Sequence, residues 1–128
     1  MKFDVALDIQ NQVYNILDVL EGVYFSHVVA DNIICMRSID SKARAYARIW
    51  SLPRIWQAGL GVEPHYIIEV LSQFFDKQSD ENKIRTLIHE LLHIPKTFSG
   101  ALVPHKCFNK KIDKKSVEVI YKEYKRRI

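Results

Sequence analysis

The sequence predicts a single α+β domain spanning residues 1–128, and three observations support this prediction. A chain of 128 residues suits one domain with a real hydrophobic core and is too short for two ordinary ones. Segments with helical and with strand-like spacing of apolar residues both occur, and no linker or repeat divides them. Apolar residues make up 48% and charged residues 27% of the chain, which is typical of soluble globular proteins and argues against disorder.

The N-terminal third predicts a helix followed by a strand. From Val5 to Leu20 the apolar residues recur at helical spacing, and Gly22 ends that stretch. The segment Asn32–Ser38 is rich in β-branched residues, which favours a strand. The chain therefore predicts an N-terminal helix that packs beside a sheet.

The middle of the chain predicts further extended structure. The stretches ARAYARIW and RIWQAG flank a proline and predict two extended segments or a hairpin. We expect Trp50 and Trp56 to anchor the core there. The spacing within HYIIEVLSQFF fits both a strand and a helix, and we favour a strand over Tyr66–Leu71. Together with the preceding strand, these segments predict a small, mostly antiparallel sheet.

Two helices are predicted in the C-terminal half. Ser79 is a good N-cap for a helix from Asp80 to about Ile94, because Pro95 disfavours helical geometry in the residue before it. A coil through Phe108 should follow. The last helix is predicted over Lys114–Arg127, with a buried face formed by Val117, Ile120, Tyr121 and Tyr124.

The predicted helix that begins at Asp80 carries the pattern H-E-x-x-H, from His89 through Glu90 to His93. At 100° per residue the two histidines lie about 40° apart on one side of the helix, while its leucines and isoleucines lie on the other. The imidazoles can therefore share one ion. In this pattern two histidines bind Zn²⁺ and the glutamate acts as base on an activated water.

A third zinc ligand must come from elsewhere, because Glu90 adjoins His89 and cannot easily reach the same ion. Zinc in catalytic sites takes three protein ligands and leaves one position open. His105 is the best candidate: eleven residues separate it from His93, and Gly100 gives the chain freedom to turn back.

These residues also carry a resemblance. The stretch LIHELLHIPKTFSGALVPHK resembles the signature of the putative phage metallopeptidase family, zincin-like proteins of archaea and mobile elements, and ARIWSLPRIWQAGL and YIIEVLSQFFDK are similar to it too. In size and layout the chain also resembles SprT-like and minigluzincin-type small zinc peptidases. The resemblance implies a zincin-like fold in which His89, His93 and His105 bind zinc and Glu90 is the general base. The chain departs from metzincins, because its third histidine comes later and no Met-turn is evident.

The function predicted from these features is that of a zinc-dependent metallopeptidase acting on a peptide or protein substrate. Glu90 would take a proton from water and pass it to the leaving amine. A neighbouring strand could pair with an extended peptide. The transition state needs a further hydrogen-bond donor, and the candidates, none supported by spacing, are Tyr66, His65, Arg37 and Lys106. We expect His27 to be structural or exposed.

A metal-dependent nucleic-acid hydrolase is the first alternative. The segment from Lys106 to Ile128 contains nine basic and three acidic residues, for a net charge of +6, whereas the rest of the chain carries −2. Such a segment could bind nucleic acid. A solvated helix face is the simpler explanation of the charge, since Tyr121 and Tyr124 are predicted on the buried face of the last helix and are not available for base stacking.

The second alternative is a non-catalytic, zinc-stabilised binding module. Structural zinc usually has four protein ligands, and Cys107 could be the fourth. Otherwise we expect Cys35 and Cys107 to be reduced thiols, since they form no CxxC pair. The N-terminus has no signal-peptide pattern, and the apolar runs are too short to span a membrane, so we expect a cytoplasmic protein with no membrane contact.

Overall fold

A four-stranded mixed sheet with helices packed against it confirms the predicted α+β class. The structure, a computed structural model, describes residues 1–107 and 110–128. Its strands are β1 (Lys2–Val5), β2 (Ile33–Ile39), β3 (Ala47–Ser51), β4 (Tyr66–Leu71), β5 (Lys106–Cys107) and β6 (Lys110–Lys111). Its α-helices are α1 (Leu7–Val19), α2 (Arg54–Leu60), α3 (Ser72–Phe75), α4 (Asp80–Leu92) and α5 (Lys114–Arg127), and a 3₁₀ turn spans Ala30–Asn32.

The strands of the large sheet lie in the order β1-β2-β4-β3. The central pair, β2 and β4, is parallel, and the two outer strands join it antiparallel. Two of the three pairings are thus antiparallel, as the sequence predicts. Strand β3 lies at one edge of the sheet and contacts α4. This edge is therefore the one nearest the helix that carries the histidine motif.

The core lies between one face of this sheet and the helices α1, α4 and α5. Alternate residues of β4 point into it, because successive side chains of a strand face opposite sides. The fully buried members include Val13, Ile16, Cys35, Tyr66, Ile68, Leu87, Ile88 and Leu91. Burial of each large apolar side chain contributes about 1.5–3 kcal/mol. Helix α4 is thus fixed by its apolar face, which leaves its other face for the histidines.

The predicted bounds of the two C-terminal helices are close to those observed. Ser79 caps α4 by accepting a hydrogen bond from the backbone nitrogen of Asn82 at 3.2 Å. The helix ends at Leu92, slightly before the predicted end, and His93 is its C-cap. Helix α5 spans the predicted residues, and its buried face consists of the four predicted residues, Val117, Ile120, Tyr121 and Tyr124.

The prediction for RIWQAG is wrong: this segment is helix α2 rather than a strand. Pro53 is its N-cap and Gly61, in the left-handed region with φ of 66°, ends it. The expected core roles of Trp50 and Trp56 are wrong as well, because these residues are 51% and 58% exposed. Trp50 lies on the sheet face opposite the helical core, and α2 buries none of its residues.

Two further differences concern short strands. The sequence predicts a helix from Val5, but Lys2–Val5 forms β1 and pairs antiparallel with β2 before α1 begins. The predicted coil before α5 contains a pairing of Lys106 with Lys111, which joins β5 to β6. Four-residue and two-residue strands are too short to show a clear alternation in sequence. In the described part of the chain, no helix is long and apolar enough to cross a membrane.

Candidate metal centre

Helix α4 places His89 and His93 on one side, one helical turn apart. Their ring centroids are 5.2 Å apart, and their Nε2 atoms are separated by 3.4 Å. His89 is half-buried and His93 is buried. The pairing follows from the sequence alone, because residues four apart on a helix face the same way and the apolar face of α4 fixes its rotation.

The chain that follows α4 brings His105 to the same point. The Nε2 atom of His105 lies 3.2 Å from that of His89, and the ring centroids of His93 and His105 are 4.5 Å apart. The potential ligand atoms of the three histidines all lie within 4.8 Å of one another. His105 is exposed, and its carbonyl accepts a hydrogen bond from the backbone nitrogen of Ile112 at 2.7 Å.

Two of the three separations between the imidazole nitrogens match the spacing of ligands around one tetrahedral metal ion. Zinc–nitrogen bonds are about 2.0–2.1 Å long, so two such ligands of a tetrahedral ion are separated by about 3.3–3.4 Å. The Nε2 atom of His89 lies 3.2 Å from that of His105 and 3.4 Å from that of His93, which matches that spacing. Imidazole nitrogen is also a preferred donor for zinc and neighbouring transition metals. The three histidines could therefore hold a metal with one position left open.

The orientation of His93 is fixed by the loop that leads to His105. Its Nδ1–H donates to the carbonyl oxygen of Val103 at 2.5 Å, and the backbone nitrogen of Val103 donates to the carbonyl of His93 at 2.7 Å. A proton on Nδ1 leaves Nε2 with a free lone pair in the neutral ring. Hydrogen bonds of this kind set the tautomer of metal-binding histidines.

Burial keeps the helix histidines neutral. It lowers the pKa of His89 to about 4, and the neighbouring His93 and His105 add to that effect. Burial also lowers the pKa of His93, against the opposing effect of its bond to Val103. Both rings are therefore neutral near pH 7, the form that binds a metal.

Glu90 is buried beside these histidines, with 7% of its surface exposed. Burial raises the pKa of its carboxyl to about 8. A cation nearby would favour the charged carboxylate and lower that pKa again. A buried carboxyl with a raised pKa, next to a possible metal site, has the proton affinity that a general base needs near neutral pH.

Two of the four candidate hydrogen-bond donors for the transition state are bonded to other parts of the protein. The guanidinium of Arg37 is hydrogen bonded to Asp8 and Asp76, at distances between 2.9 and 3.1 Å. The hydroxyl of Tyr66 donates to the carbonyl of Ala101 at 2.8 Å. These hydrogen bonds hold both side chains to the protein. Neither Arg37 nor Tyr66 is therefore free to donate to a substrate in this arrangement.

The other polar candidates lie as follows. His65 is half-buried, and its Nδ1–H donates to the carbonyl of Glu63 at 2.6 Å. Lys106 is exposed in β5. His27, expected to be structural or exposed, donates from Nε2 to the carbonyl of Ile94 at 3.1 Å. The side chain of Cys107 lies outside the described part of the structure, so its possible role as a fourth ligand stays a prediction.

Sequence reasoning missed the part played by Val103. Its backbone groups orient His93, and a backbone carbonyl leaves no signature in a sequence because every residue has one. It also missed a second buried acid, Glu69, whose carboxylate accepts hydrogen bonds from Arg48 and Trp50. An acid inside the apolar strand YIIEVL was the available signal.

An α+β domain in which an H-E-x-x-H helix and a later histidine converge on one point is typical of metal-dependent hydrolases. The comparison with protein families agrees: the model of the family described as "Putative phage metallopeptidase" matches residues 5–125, and the chain belongs to this family. No curated protein and no solved structure matches the chain significantly.

Proposed function

We propose that the protein is a zinc-dependent metallopeptidase that hydrolyses peptide bonds, with zinc held by His89, His93 and His105 and with Glu90 as general base. The observation that carries the proposal is the convergence of three imidazole Nε2 atoms, two pairs of which have zinc-ligand spacing, beside a buried glutamate. Membership of the metallopeptidase family supports the same reaction class.

Bound zinc would supply the Lewis acidity that polarises the scissile carbonyl and lowers the pKa of a water molecule to near 7. Glu90 accepts the proton of that water and later donates it to the leaving amine. Burial raises the pKa of this carboxyl in the metal-free protein, and a bound cation would favour the carboxylate, which is the form that accepts the proton. The hydrogen bond from His93 to Val103 orients the imidazole before any substrate binds.

Strand β3 is the surface we assign to the substrate backbone. It forms one edge of the sheet, pairs with β4 on its inner side and contacts α4. An extended peptide could add to the free edge through backbone hydrogen bonds, which give affinity with little dependence on sequence. We therefore propose disordered or extended protein segments as the substrate class.

Elemental analysis combined with a peptidase assay tests the proposal. We expect about one zinc per chain in the wild type and much less in His89→Ala, His93→Ala and His105→Ala. Casein, a disordered protein, serves as substrate; a chelator should abolish its cleavage and added zinc should restore it. His27→Ala is the matched control, because His27 bonds the carbonyl of Ile94 and lies outside the cluster. A zinc-loaded protein that cleaves no peptide bond would contradict the proposal.

Two alternatives can be decided with the same variants. The basic segment Lys106–Ile128 favours a nucleic-acid hydrolase, although Arg126 and Arg127 in it are paired with Glu123. Cleavage of single-stranded DNA or RNA that is lost in His89→Ala would support that function instead. A closed structural zinc site would need a fourth ligand, and loss of zinc in Cys107→Ala would support a non-catalytic module.

A further inference from the structure

The loop that joins α4 to His105 runs through residues 98–103, and its far end sets the position of His93. Val103 makes two hydrogen bonds with that residue, one to its imidazole and one to its backbone carbonyl. Any displacement of the loop would therefore move a partner of one histidine and the chain that leads to another. What holds the loop in place is a separate question from which residues hold the metal.

Tyr66, the first residue of β4, reaches the loop from the core. Its side chain is fully buried, and its hydroxyl donates to the carbonyl of Ala101 at 2.8 Å and accepts from the backbone nitrogen of Gly100 at 2.9 Å. Its ring packs edge-to-face against Phe98, with centroids 5.1 Å apart. One side chain thus contacts three of the six residues 98–103, and it does so from a central strand of the sheet.

Helix α2 contacts the same loop through Gln57. The side-chain nitrogen of Gln57 donates to the carbonyl of Leu52 at 2.8 Å and to that of Ser99 at 3.2 Å. Gly100 lies against this pair: a Cβ at that position would be 2.3 Å from the Gln57 nitrogen and 2.8 Å from the Leu52 oxygen. Its φ of +94° also favours glycine. At Gly100 the loop is therefore packed so closely against Gln57 and Leu52 that no side chain fits there.

We propose that Tyr66 is a positioning residue for the metal centre: its hydroxyl fixes the backbone at Gly100 and Ala101, so that Val103 holds the imidazole of His93 and the chain returns His105 to the same point. The inference rests on the proposed metal site. It differs from the role considered for Tyr66 in the sequence, since the hydroxyl acts on the protein backbone and not on the substrate.

The variant Tyr66→Phe tests the inference, because it keeps the ring and removes only the hydroxyl. We expect its zinc affinity, measured by competition with a chromophoric chelator, to fall roughly 10- to 100-fold, the range typical of groups that orient metal ligands. Tyr124→Phe is the matched control: it also loses a buried hydroxyl, one that donates to Asn15 between α5 and α1. The control should lose thermal stability but keep its zinc affinity. Equal affinities in wild type and Tyr66→Phe would overturn the inference.

Amide hydrogen exchange in the metal-free protein separates this inference from the proposed function. We expect exchange at Gly100 and Val103 to accelerate in Tyr66→Phe and to stay unchanged in Tyr124→Phe. If the wild type bound no zinc, the proposed function would fail, and the exchange rates alone would decide whether Tyr66 holds the partner of His93. Unchanged exchange at Val103 would then overturn the role of Tyr66.

A pair of glycine variants provides an independent test of the loop. Gly100 and Gly22 both have positive φ, but an added Cβ meets nothing within 4 Å at Gly22. Gly22→Ala therefore carries the backbone strain alone, whereas Gly100→Ala must also displace Gln57 or the loop. We expect zinc affinity to fall at least tenfold in Gly100→Ala and to remain at the wild-type value in Gly22→Ala. Equal affinities in both variants would count against the inference.

Discussion

Two glutamates are buried in the part of the chain that the structure describes, and their surroundings are opposite. Glu69 in β4 is 2% exposed, and its carboxylate accepts hydrogen bonds from the guanidinium of Arg48 at 3.0 and 3.2 Å and from the indole of Trp50 at 2.8 Å. Burial alone would raise the pKa of Glu69, but Arg48, Ser38 and Trp50 together outweigh it and hold the pKa below its usual value. For Glu90, burial shifts the pKa of the carboxyl and raises it to about 8.

The difference separates a carboxylate that serves the fold from one that fits a reaction. A buried charge with hydrogen-bonded partners is stabilised in one protonation state and cannot exchange protons near neutral pH. A buried carboxyl without such compensation is costly for the fold but close to a proton-transfer equilibrium. The contrast predicts that replacing Glu90 affects activity more than stability, and that replacing Glu69 does the opposite.

The largest effect is expected for Glu90→Gln. We expect kcat/KM for peptide hydrolysis to fall roughly 10²- to 10⁴-fold, because the amide cannot accept the proton of water. Zinc content should be unchanged, and the free energy of unfolding of the metal-free protein at pH 7 should not fall, since glutamine has the same shape without the desolvated acid. Glu81→Gln, an exposed site on the same helix, is the control. More than a tenth of the wild-type activity in Glu90→Gln would contradict the role of Glu90.

For Glu69→Gln we expect the reverse pattern. Hydrogen bonds to charged groups contribute about 1.5–3 kcal/mol, so the free energy of unfolding at pH 7 should fall by about that amount. Zinc affinity should stay at the wild-type value. Urea unfolding of Glu69→Gln and Glu81→Gln measures the difference. If the two variants were equally stable, the hydrogen bonds around Glu69 would be irrelevant to the fold and the contrast would fail.

The stability difference between wild type and Glu69→Gln should also depend on pH. The folded pKa of Glu69 lies below its unfolded value of about 4.3, so the ionised carboxylate contributes its full stabilisation above that pH. As the pH falls through the folded pKa, the carboxylate is protonated in both states and the contribution is lost. Urea midpoints from pH 7 down to pH 3 should therefore converge. A constant difference over this range would contradict the pKa assigned to Glu69.

The sequence predicted that His89 and His93 face the same side of a helix, and the structure has this arrangement because short-range geometry decides it. The spacing of His89 and His93 places both on one side of any helix. The leucines and isoleucines on the other side pack into the core and so fix the rotation of α4 about its axis. The convergence of His105 was predicted from a glycine and a loop length. The contacts that bring it there, from Tyr66 and Gln57, join distant parts of the chain and leave no local pattern.

The prediction failed where a large apolar residue was assumed to be buried. Trp50 and Trp56 were expected in the core because tryptophan has a large apolar surface, yet both are more than half exposed. The sheet buries one face against helices, and Trp50 alternates onto the other face, opposite the side of Ile49. Which face a strand buries depends on its register with β4, and the sequence of β3 alone does not contain that register.

Replacing the exposed Trp50 should give the smallest effect, and it tests the contrast between Glu69 and Glu90 most directly. Its N–H is one of the groups that hold Glu69 ionised, and phenylalanine lacks that donor. We expect Trp50→Phe to lower the free energy of unfolding by about 1 kcal/mol, while Trp56→Phe, the matched control on exposed α2, should change it by less than about 0.5 kcal/mol.

A double-mutant cycle shows whether that loss belongs to Glu69. In a Glu69→Gln background the acceptor is no longer charged, so the cost of Trp50→Phe should shrink towards that of Trp56→Phe. An undiminished cost would mean that Trp50 stabilises β3 by packing on Arg48, whose guanidinium lies 5.3 Å from the ring centroid. In that case Arg48, with the hydroxyl of Ser38, would compensate the charge of Glu69 without the indole, and these two groups would account for the opposite behaviour of the two buried glutamates.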